Sequence, residues 1–155
     1  MLDTNIWIYL IKTRSDTLLN RMRGFRTPEI GVSVVTVAEL RYGVAKNQQT
    51  ARNQAALEAF LLPLDIANLS MDTTVVCGEI RADWEKQERP IGPLDTLIAA
   101  HALSLDVPLI TNNTREFARV EGLRVEDWTS TSPIPACRTS SRTVLDPCGR
   151  SALRQ

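Results

Sequence analysis

Cysteine is scarce in this sequence and follows no regular spacing. The three cysteines, Cys77, Cys137 and Cys148, argue by their odd number against a disulfide-stapled secreted domain. Cys77 falls in an apolar helical pattern and is predicted to be a small core residue, whereas the other two lie in a polar segment and make a poor zinc site. No apolar run approaches the roughly 18 residues of a membrane-spanning helix, and the first residues lack a signal-peptide pattern. These absences favour a cytoplasmic protein.

Several common catalytic motifs are also missing. The sequence has no GxxxxGKS or GxxxxGKT phosphate-binding loop, no GxGxxG, no HExxH and no GxSxG. Asp3-Thr4-Asn5 is not the DxD pair of phosphatases that use an aspartyl nucleophile. The single histidine, His101, lies six residues after Asp95, on neither the adjacent turn nor the same helical face. We therefore predict that His101 is structural.

Charge is balanced over the chain but unevenly distributed. Lys plus Arg and Asp plus Glu each number 18, and the segment 129–155 holds four Arg and one Asp, which gives it a net +3 and leaves −3 for residues 1–128. The body therefore lacks the strong positive charge of a dedicated nucleic-acid binder. An RNA substrate would need a metal or a local basic patch. The candidates for such a patch are Arg41, Arg81, Arg115 and Arg119, and the alternative is that these are solvated surface arginines.

Short apolar segments alternate with helical patterns up to Trp128. Strands are predicted at 30–35, 63–66, 107–111 and 123–125 after a very short apolar start, and helices at 5–11, 16–26, 37–45, 48–61, 71–87, 94–105 and 115–120. Thr36 and Ser70 are the expected caps of the third and fifth helices. This alternation predicts an α/β domain over 1–128, with a parallel sheet covered by helices on both faces. The segment 129–155, rich in Ser, Thr, Pro and Arg, is predicted to be a flexible C-terminal extension.

Three acids fall where a parallel sheet would bring them together. Asp3 directly follows the first apolar segment, whereas Glu39 and Asp95 are each predicted in the first turn of a helix. An isolated acid at a helix start has a simpler explanation, because it interacts favourably with the helix dipole. Together, however, all three can converge on one edge of the sheet, where their mutual repulsion calls for a cation. Magnesium prefers such oxygen ligands and promotes phosphodiester cleavage without a catalytic histidine.

A fourth polar group follows the predicted strand at 107–111. Asn113 has an oxygen acceptor, and Glu116 is placed to reach the acids through a water. The alternative is a turn and cap segment, in which Asn113 or Thr114 caps the next short helix. The sequence does not decide between the two.

These residues stand in segments typical of a known family. The segments are Met1-Leu2-Asp3-Thr4-Asn5, residues 33–43 (SVVTVAELRYG), 91–100 (IGPLDTLIAA), 111–117 (TNNTREF) and 122–128 (GLRVEDW). In their order and separation they resemble PIN-domain ribonucleases, specifically VapC toxins of bacterial type II toxin–antitoxin modules. The resemblance covers residues 1–128.

The resemblance implies both a fold and an activity. It implies a three-layer α/β/α domain with a central parallel sheet of about five strands. It implies a Mg²⁺ or Mn²⁺ site formed by Asp3, Glu39 and Asp95, hydrolysis of structured RNA with tRNA as a common substrate class, a homodimer, and a VapB-type antitoxin. The family's fourth, often acidic, position falls on Asn113, which is counted with the three acids as a candidate catalytic residue.

Two departures from the family pattern leave alternatives open. Only two residues precede Asp3, so the first strand is expected to be stunted or to begin upstream, and the 27 residues after Trp128 have no counterpart. A catalytically silent PIN module that only binds a partner or RNA is therefore the second hypothesis. A nuclease acting on DNA or flap structures is a third and weaker one.

Overall fold

The computed structural model describes residues 1–13, 15–26, 29–46, 50–88 and 91–130. Within them the chain forms α1 (Thr4–Thr13), α2 (Asp16–Arg23), β1 (Gly31–Ser33), α3 (Val34–Ala45), α4 (Thr50–Leu61), β2 (Asp65–Ala67), α5 (Met71–Lys86), α6 (Pro93–Ser104), β3 (Leu109–Ile110), α7 (Thr114–Phe117) and β4 (Val125–Glu126). The predicted alternation of strands and helices is confirmed. Most of the predicted extension, residues 131–155 with Cys137 and Cys148, lies outside the described residues, so its flexibility stays a prediction.

Leu2 takes the central position of the sheet. It forms parallel bridges to Val32 of β1 and to Ile110 of β3, while β1 pairs with β2 and β3 pairs with β4, all in parallel. The order across the sheet is therefore β2–β1–Leu2–β3–β4. Four short strands and one bridging residue stand where about five strands were expected, and the expected short first strand is reduced to Leu2.

Helices pack on both faces of this sheet. Successive residues of a strand point to opposite faces, and Leu109 packs into a cluster with residues of α5, α6 and α7, whereas Ile110 packs with residues of α1 and α2. Met1 and Leu2 divide between the same two clusters. The layers are thus helix, sheet and helix, as expected. Cys77 is half-buried at the edge of the first cluster.

Side-chain caps set where several helices begin. The Ser70 hydroxyl accepts a hydrogen bond from Thr73 N at 3.2 Å and caps α5, as predicted. The Ser33 hydroxyl accepts one from Val35 N at 3.1 Å and caps α3. Helix α6 instead begins at Pro93, whose missing N–H has no role in the first turn.

The start of α3 corrects two sequence predictions. The strand predicted over 30–35 ends at Ser33, and Thr36, predicted as the cap, lies inside the helix. The β-branched residues Val34 and Val35 favour a strand, but the Ser33 cap begins the helix three residues earlier than predicted. As a consequence Glu39 lies in the second turn of α3 and not in the first. The helices predicted at 16–26 and 115–120 are also shorter, ending at Arg23 and Phe117.

The last described residues are fixed against α2. The Arg21 guanidinium donates hydrogen bonds to the carbonyl oxygens of Asp127 at 3.2 Å and Ser130 at 2.8 Å. The rings of Phe25 and Trp128 stack with their centroids 5.0 Å apart. Packing therefore continues through the predicted domain boundary at least to Ser130. Within the described ranges, no helix has both the length and the apolar character to cross a bilayer.

Candidate active site

The three predicted acids surround the carboxyl ends of the central strands. Asp3 follows Leu2 at the centre of the sheet, and Glu39 projects from α3, which begins directly after β1. Asp95 lies in the first turn of α6, as predicted. The carboxyl edge of a parallel sheet is where α/β proteins place their sites.

Asp3 is held by three hydrogen bonds. Its side chain is buried, with 1% exposed. Oδ1 accepts from Thr4 N at 2.7 Å, while Oδ2 accepts from Thr111 Oγ1 at 2.7 Å and from Asn5 Nδ2 at 3.1 Å. A buried carboxylate is costly unless donors replace its water, and these donors fix both of its oxygens in orientation.

Glu39 is joined to the same centre through Thr4. The Thr4 hydroxyl donates a 2.5 Å hydrogen bond to Oε2 of Glu39, and the Thr4 backbone N–H is the donor to Asp3. One residue thus bridges two of the acids. The half-buried Glu39 is oriented by a hydrogen bond that spans 35 residues of sequence.

Asp95 differs from both because its carboxylate is partly buried among other acids and has no hydrogen-bond donor in the described residues. No hydrogen bond reaches its carboxylate from the part of the chain that the structure describes. Burial raises the pKa of Asp95 from its ordinary 3.8 to about 6, and the negative charges of Asp3, Glu39 and Glu116 contribute in the same direction. Three acids, two of them predicted from the sequence to lie with Asp95, therefore act electrostatically on Asp95 at this edge.

Asn113 and Glu116 are the two candidates for the fourth polar residue of the site. Asn113 occupies the cap position of α7, but its side chain makes no capping hydrogen bond, and only its backbone N–H reaches the site, by donating to Thr111 Oγ1 at 3.0 Å. Glu116 adds its charge to the field at Asp95 and forms an ion pair with Arg119 at 3.1 Å. Of the two, Glu116 is the residue coupled to the acids.

Three polar residues of the site were not singled out from the sequence. Thr4 and Asn5 directly follow Asp3, and Thr111 follows a buried strand, so their positions alone gave a weak signal. Their role depends on a contact across the fold, since Thr111 and Asp3 are 108 residues apart in sequence. The sequence signal that could have found these residues is a hydroxyl or amide side chain next to a carboxylate, or at another strand end.

The donor chemistry of this edge fits a divalent cation such as Mg²⁺. Carboxylate oxygens are the ligands that Mg²⁺ prefers, and mutual repulsion among Asp3, Glu39 and Asp95 is relieved by a positive charge. Among the described residues, no three carboxylate, histidine or cysteine side chains are grouped closely enough to hold one ion together. Mg²⁺ needs no such group, because it commonly binds through one or two carboxylates and keeps several waters.

The arginines proposed for a basic patch are mostly paired with acids. Arg41 lies 3.6 Å from Glu58, Arg81 lies 3.0 Å from Glu85, and Arg119 is paired with Glu116. Arg115 is exposed at the start of α7 and, within the described residues, has no ion-pair partner. It is therefore the candidate among the four that is most available to a phosphate.

A family profile and several known proteins are similar to this chain over most of its length. The sequence profile of the PIN domain matches residues 1–123. The tRNA(fMet)-specific endonuclease VapC of Shigella flexneri is 43% identical over 83% of this chain and 96% of that protein. Ribonuclease VapC2 of Haemophilus influenzae strain KW20/Rd is 44% identical over the same shares.

Solved structures that are similar to this chain include VapBC proteins. The fold is similar to that of VapBC2 from Rickettsia felis bound to a DNA fragment from their promoter, with a TM-score of 0.78 and 38% identity over 83% of this chain and 97% of that one. It is also similar to DNA-bound VapBC from Salmonella typhimurium, with a TM-score of 0.79 and 37% identity over 83% and 96% of the two chains.

Proposed function

The chain belongs to the PIN-domain family, within its VapC group, and we propose that it is a metal-dependent endoribonuclease that hydrolyses phosphodiester bonds of structured RNA. The observation that carries this proposal is the electrostatic coupling of Asp95 to Asp3, Glu39 and Glu116 at the carboxyl edge of the sheet. A site that concentrates negative charge without neutralising it is suited to a cation and to the phosphate that the cation recruits.

Mg²⁺, or Mn²⁺ as the alternative, would be held at Asp3, Glu39 and Asp95, with Asp3 and Asp95 as the direct ligands and Glu39 completing the site through the waters that the ion keeps. The bound cation supplies Lewis-acid stabilisation of the negative charge that develops on the phosphoryl oxygens. Thr111 and Asn5 keep the Asp3 carboxylate in one orientation, and Thr4 does the same for Glu39. Glu39 would orient the attacking water and accept its proton while the phosphorus–oxygen bond to the leaving ribose oxygen breaks. Asn113 is the fourth candidate residue, and its backbone N–H donates to the Thr111 hydroxyl that in turn holds Asp3.

The relatives support a substrate class and a partner. One is named as a tRNA(fMet)-specific endonuclease, and two similar structures are of VapBC assemblies. We propose that this chain likewise cleaves tRNA in the cytoplasm, that a VapB-type antitoxin inhibits it, and that it acts as a homodimer. The nuclease names of the relatives favour this function over a catalytically silent binding module.

The decisive experiment is cleavage of a mixed tRNA pool by the purified full chain. The reactions contain Mg²⁺, Mg²⁺ with excess EDTA, or Mg²⁺ with the Asp95→Asn variant. We expect discrete fragments in the first reaction only, with a loss of at least about 100-fold in the variant, because it removes a carboxylate that the cation needs.

Asp72→Asn is the matched control. Asp72 is also the acid of a helix first turn, in α5, but it is exposed and is not among the charges that raise the pKa of Asp95. Full cleavage by folded Asp95→Asn protein would refute the assigned site. No cleavage by the folded wild type would favour the silent module.

A further inference from the structure

A buried histidine links the two helices that carry Glu39 and Asp95. His101 lies on α6 and is fully buried, and its Nδ1 is 2.9 Å from the hydroxyl oxygen of Ser33, which is also fully buried. Ser33 is the cap of α3. Since α6 carries Asp95 and α3 carries Glu39, this contact joins the scaffolds of two acids through a single pair of side chains.

The direction of this hydrogen bond follows from the groups around Ser33. The hydroxyl oxygen already accepts from Val35 N at 3.1 Å, so its own hydrogen needs an acceptor. Nδ1 of His101 provides that acceptor if the ring carries its proton on Nε2. In the opposite tautomer Nδ1 would donate to Ser33, and the buried hydroxyl hydrogen would be left without the one acceptor found beside it. The first arrangement satisfies more groups.

The environment of the ring agrees with a neutral imidazole. Burial lowers the pKa of His101, whereas an interaction with the backbone of Asn68 opposes this effect. A backbone group that favours ring protonation is an acceptor, and because Nδ1 is occupied by Ser33, that acceptor belongs near Nε2–H. The interaction between His101 and the Asn68 backbone is weaker than a full hydrogen bond, since Nε2 has no partner of normal geometry in the described residues.

We infer that His101 is a positioning residue, whose hydrogen bond from Ser33 holds α6 against the first turn of α3 and so fixes Asp95 relative to Glu39. The inference rests on the proposed nuclease function. It adds a role for the only histidine of the chain, which sequence analysis assigned to structure alone. His101 would not contact the substrate, and its effect on the reaction passes through the spacing of the two acids. Misplacement of reacting groups by about 1 Å is enough to slow an enzyme by about 100-fold.

Two nearly matched substitutions separate positioning from simple packing. His101→Asn keeps an amide oxygen near the place of Nδ1 and can accept from Ser33, whereas His101→Gln places its polar atoms near Nε2 instead. Both are neutral and smaller than the imidazole ring, so both leave buried space. We expect His101→Asn to retain kcat within about threefold, and His101→Gln to lower kcat by about tenfold with little change in KM. Equal kcat values for the two folded variants would overturn the inference.

Ser33→Ala tests the other partner of the hydrogen bond. It should lower kcat about as much as His101→Gln, and it also removes the cap of α3. Ser70→Ala controls for that second effect, because it removes the corresponding cap of α5 without touching His101. A similar loss of kcat in both serine variants would assign the effect to capping alone and overturn the inference.

Nitrogen-15 NMR of the imidazole gives a readout that does not depend on cleavage. His101 is the only histidine, so its ring signals need no assignment. We expect the Nε2-protonated tautomer in the wild type and a changed Nδ1 signal in Ser33→Ala. A ring protonated at Nδ1 would overturn the inference, because Ser33 could not then donate to it. If the wild type cleaves no RNA while the tautomer is as expected, the proposed function fails and His101 is a structural residue only.

Discussion

The strand side of the acidic site stabilises its aspartate, whereas the helix side disfavours the charged form of its own. On the strand side, Asp3 is almost fully buried and accepts three hydrogen bonds. On the helix side, Asp95 is half-buried, receives no hydrogen bond from the described residues, and is repelled by its acidic neighbours. The fold thus stabilises the charged form of Asp3 through hydrogen bonds and leaves the charged form of Asp95 without such support in the described residues. Such unrelieved repulsion in a folded protein is typical of a functional position, where stability is given up for activity.

Asp3→Ala should produce the largest loss of stability. It leaves the donors of Thr4, Asn5 and Thr111 without their acceptor, and the Thr111 hydroxyl is fully buried. We expect the free energy of unfolding to fall by about 2–3 kcal/mol, which urea denaturation measures.

Asp65→Ala is the control for Asp3→Ala, since Asp65 is exposed on the edge strand β2 and should change stability by less than about 0.5 kcal/mol. Equal effects of the two substitutions would contradict the view that hydrogen bonds hold the strand side together. Asp3→Asn, which keeps one acceptor oxygen, should fall between the two.

Asp95→Asn should have the opposite effect and stabilise the protein. The pKa of Asp95 is about 6 in the folded protein and near 3.8 when the chain is unfolded, so folding favours the protonated carboxyl. The stability that this preference gives is complete below about pH 4 and is lost as the pH rises through about 6. Above that pH the variant should exceed the wild type by about 1–2 kcal/mol, a value reduced for the partial exposure of the group.

The measurement is the free energy of unfolding of both proteins between pH 4 and pH 8 without divalent cation. The two curves should separate as the pH rises, and Asp72→Asn should show no such gain, because the Asp72 carboxylate benefits from the dipole of α5. Parallel curves would show that burial and repulsion do not destabilise the ionised carboxylate of Asp95. A gain that disappears when Mg²⁺ is added would identify the cation as the missing partner of Asp95.

The fold was predictable because it depends on patterns that are local in sequence. Apolar segments alternating with helical ones gave the α/β class, and Ser70 marked the start of α5 as expected. The start of α3 was wrong because two local preferences compete there, the β-branched Val34 and Val35 against the cap at Ser33. The central position of Leu2 in the sheet could not be predicted from local sequence, because it depends on pairing with both β1 and β3.

The acids of the site were predictable for the same reason, and their partners were not. Asp3 and Asp95 stand at recognisable ends of elements, so the topology alone brings them to one edge. The hydroxyls of Thr4 and Thr111 act on acids 35 and 108 residues away in sequence, and only the folded chain shows these distances to be short. His101 was assigned to structure by its helical phase, which is correct for its burial but does not reveal its contact with Ser33.

Arg115→Gln should have the smallest effect of the proposed substitutions, and it tests whether an arginine near the acidic site contacts an RNA phosphate. Arg115 lies in the short helix α7, is exposed, and has no ion-pair partner among the described residues, whereas Arg81 is paired with Glu85 on α5. In an Asp95→Asn background, which prevents cleavage, we expect Arg115→Gln to weaken RNA binding a few-fold and to reduce the slope of log affinity against log salt by about 1. Arg81→Gln should change neither quantity. Fluorescence anisotropy with labelled tRNA at several NaCl concentrations measures both. Equal slopes for the two variants would mean that Arg115 does not contact a phosphate and that the phosphate contacts lie elsewhere.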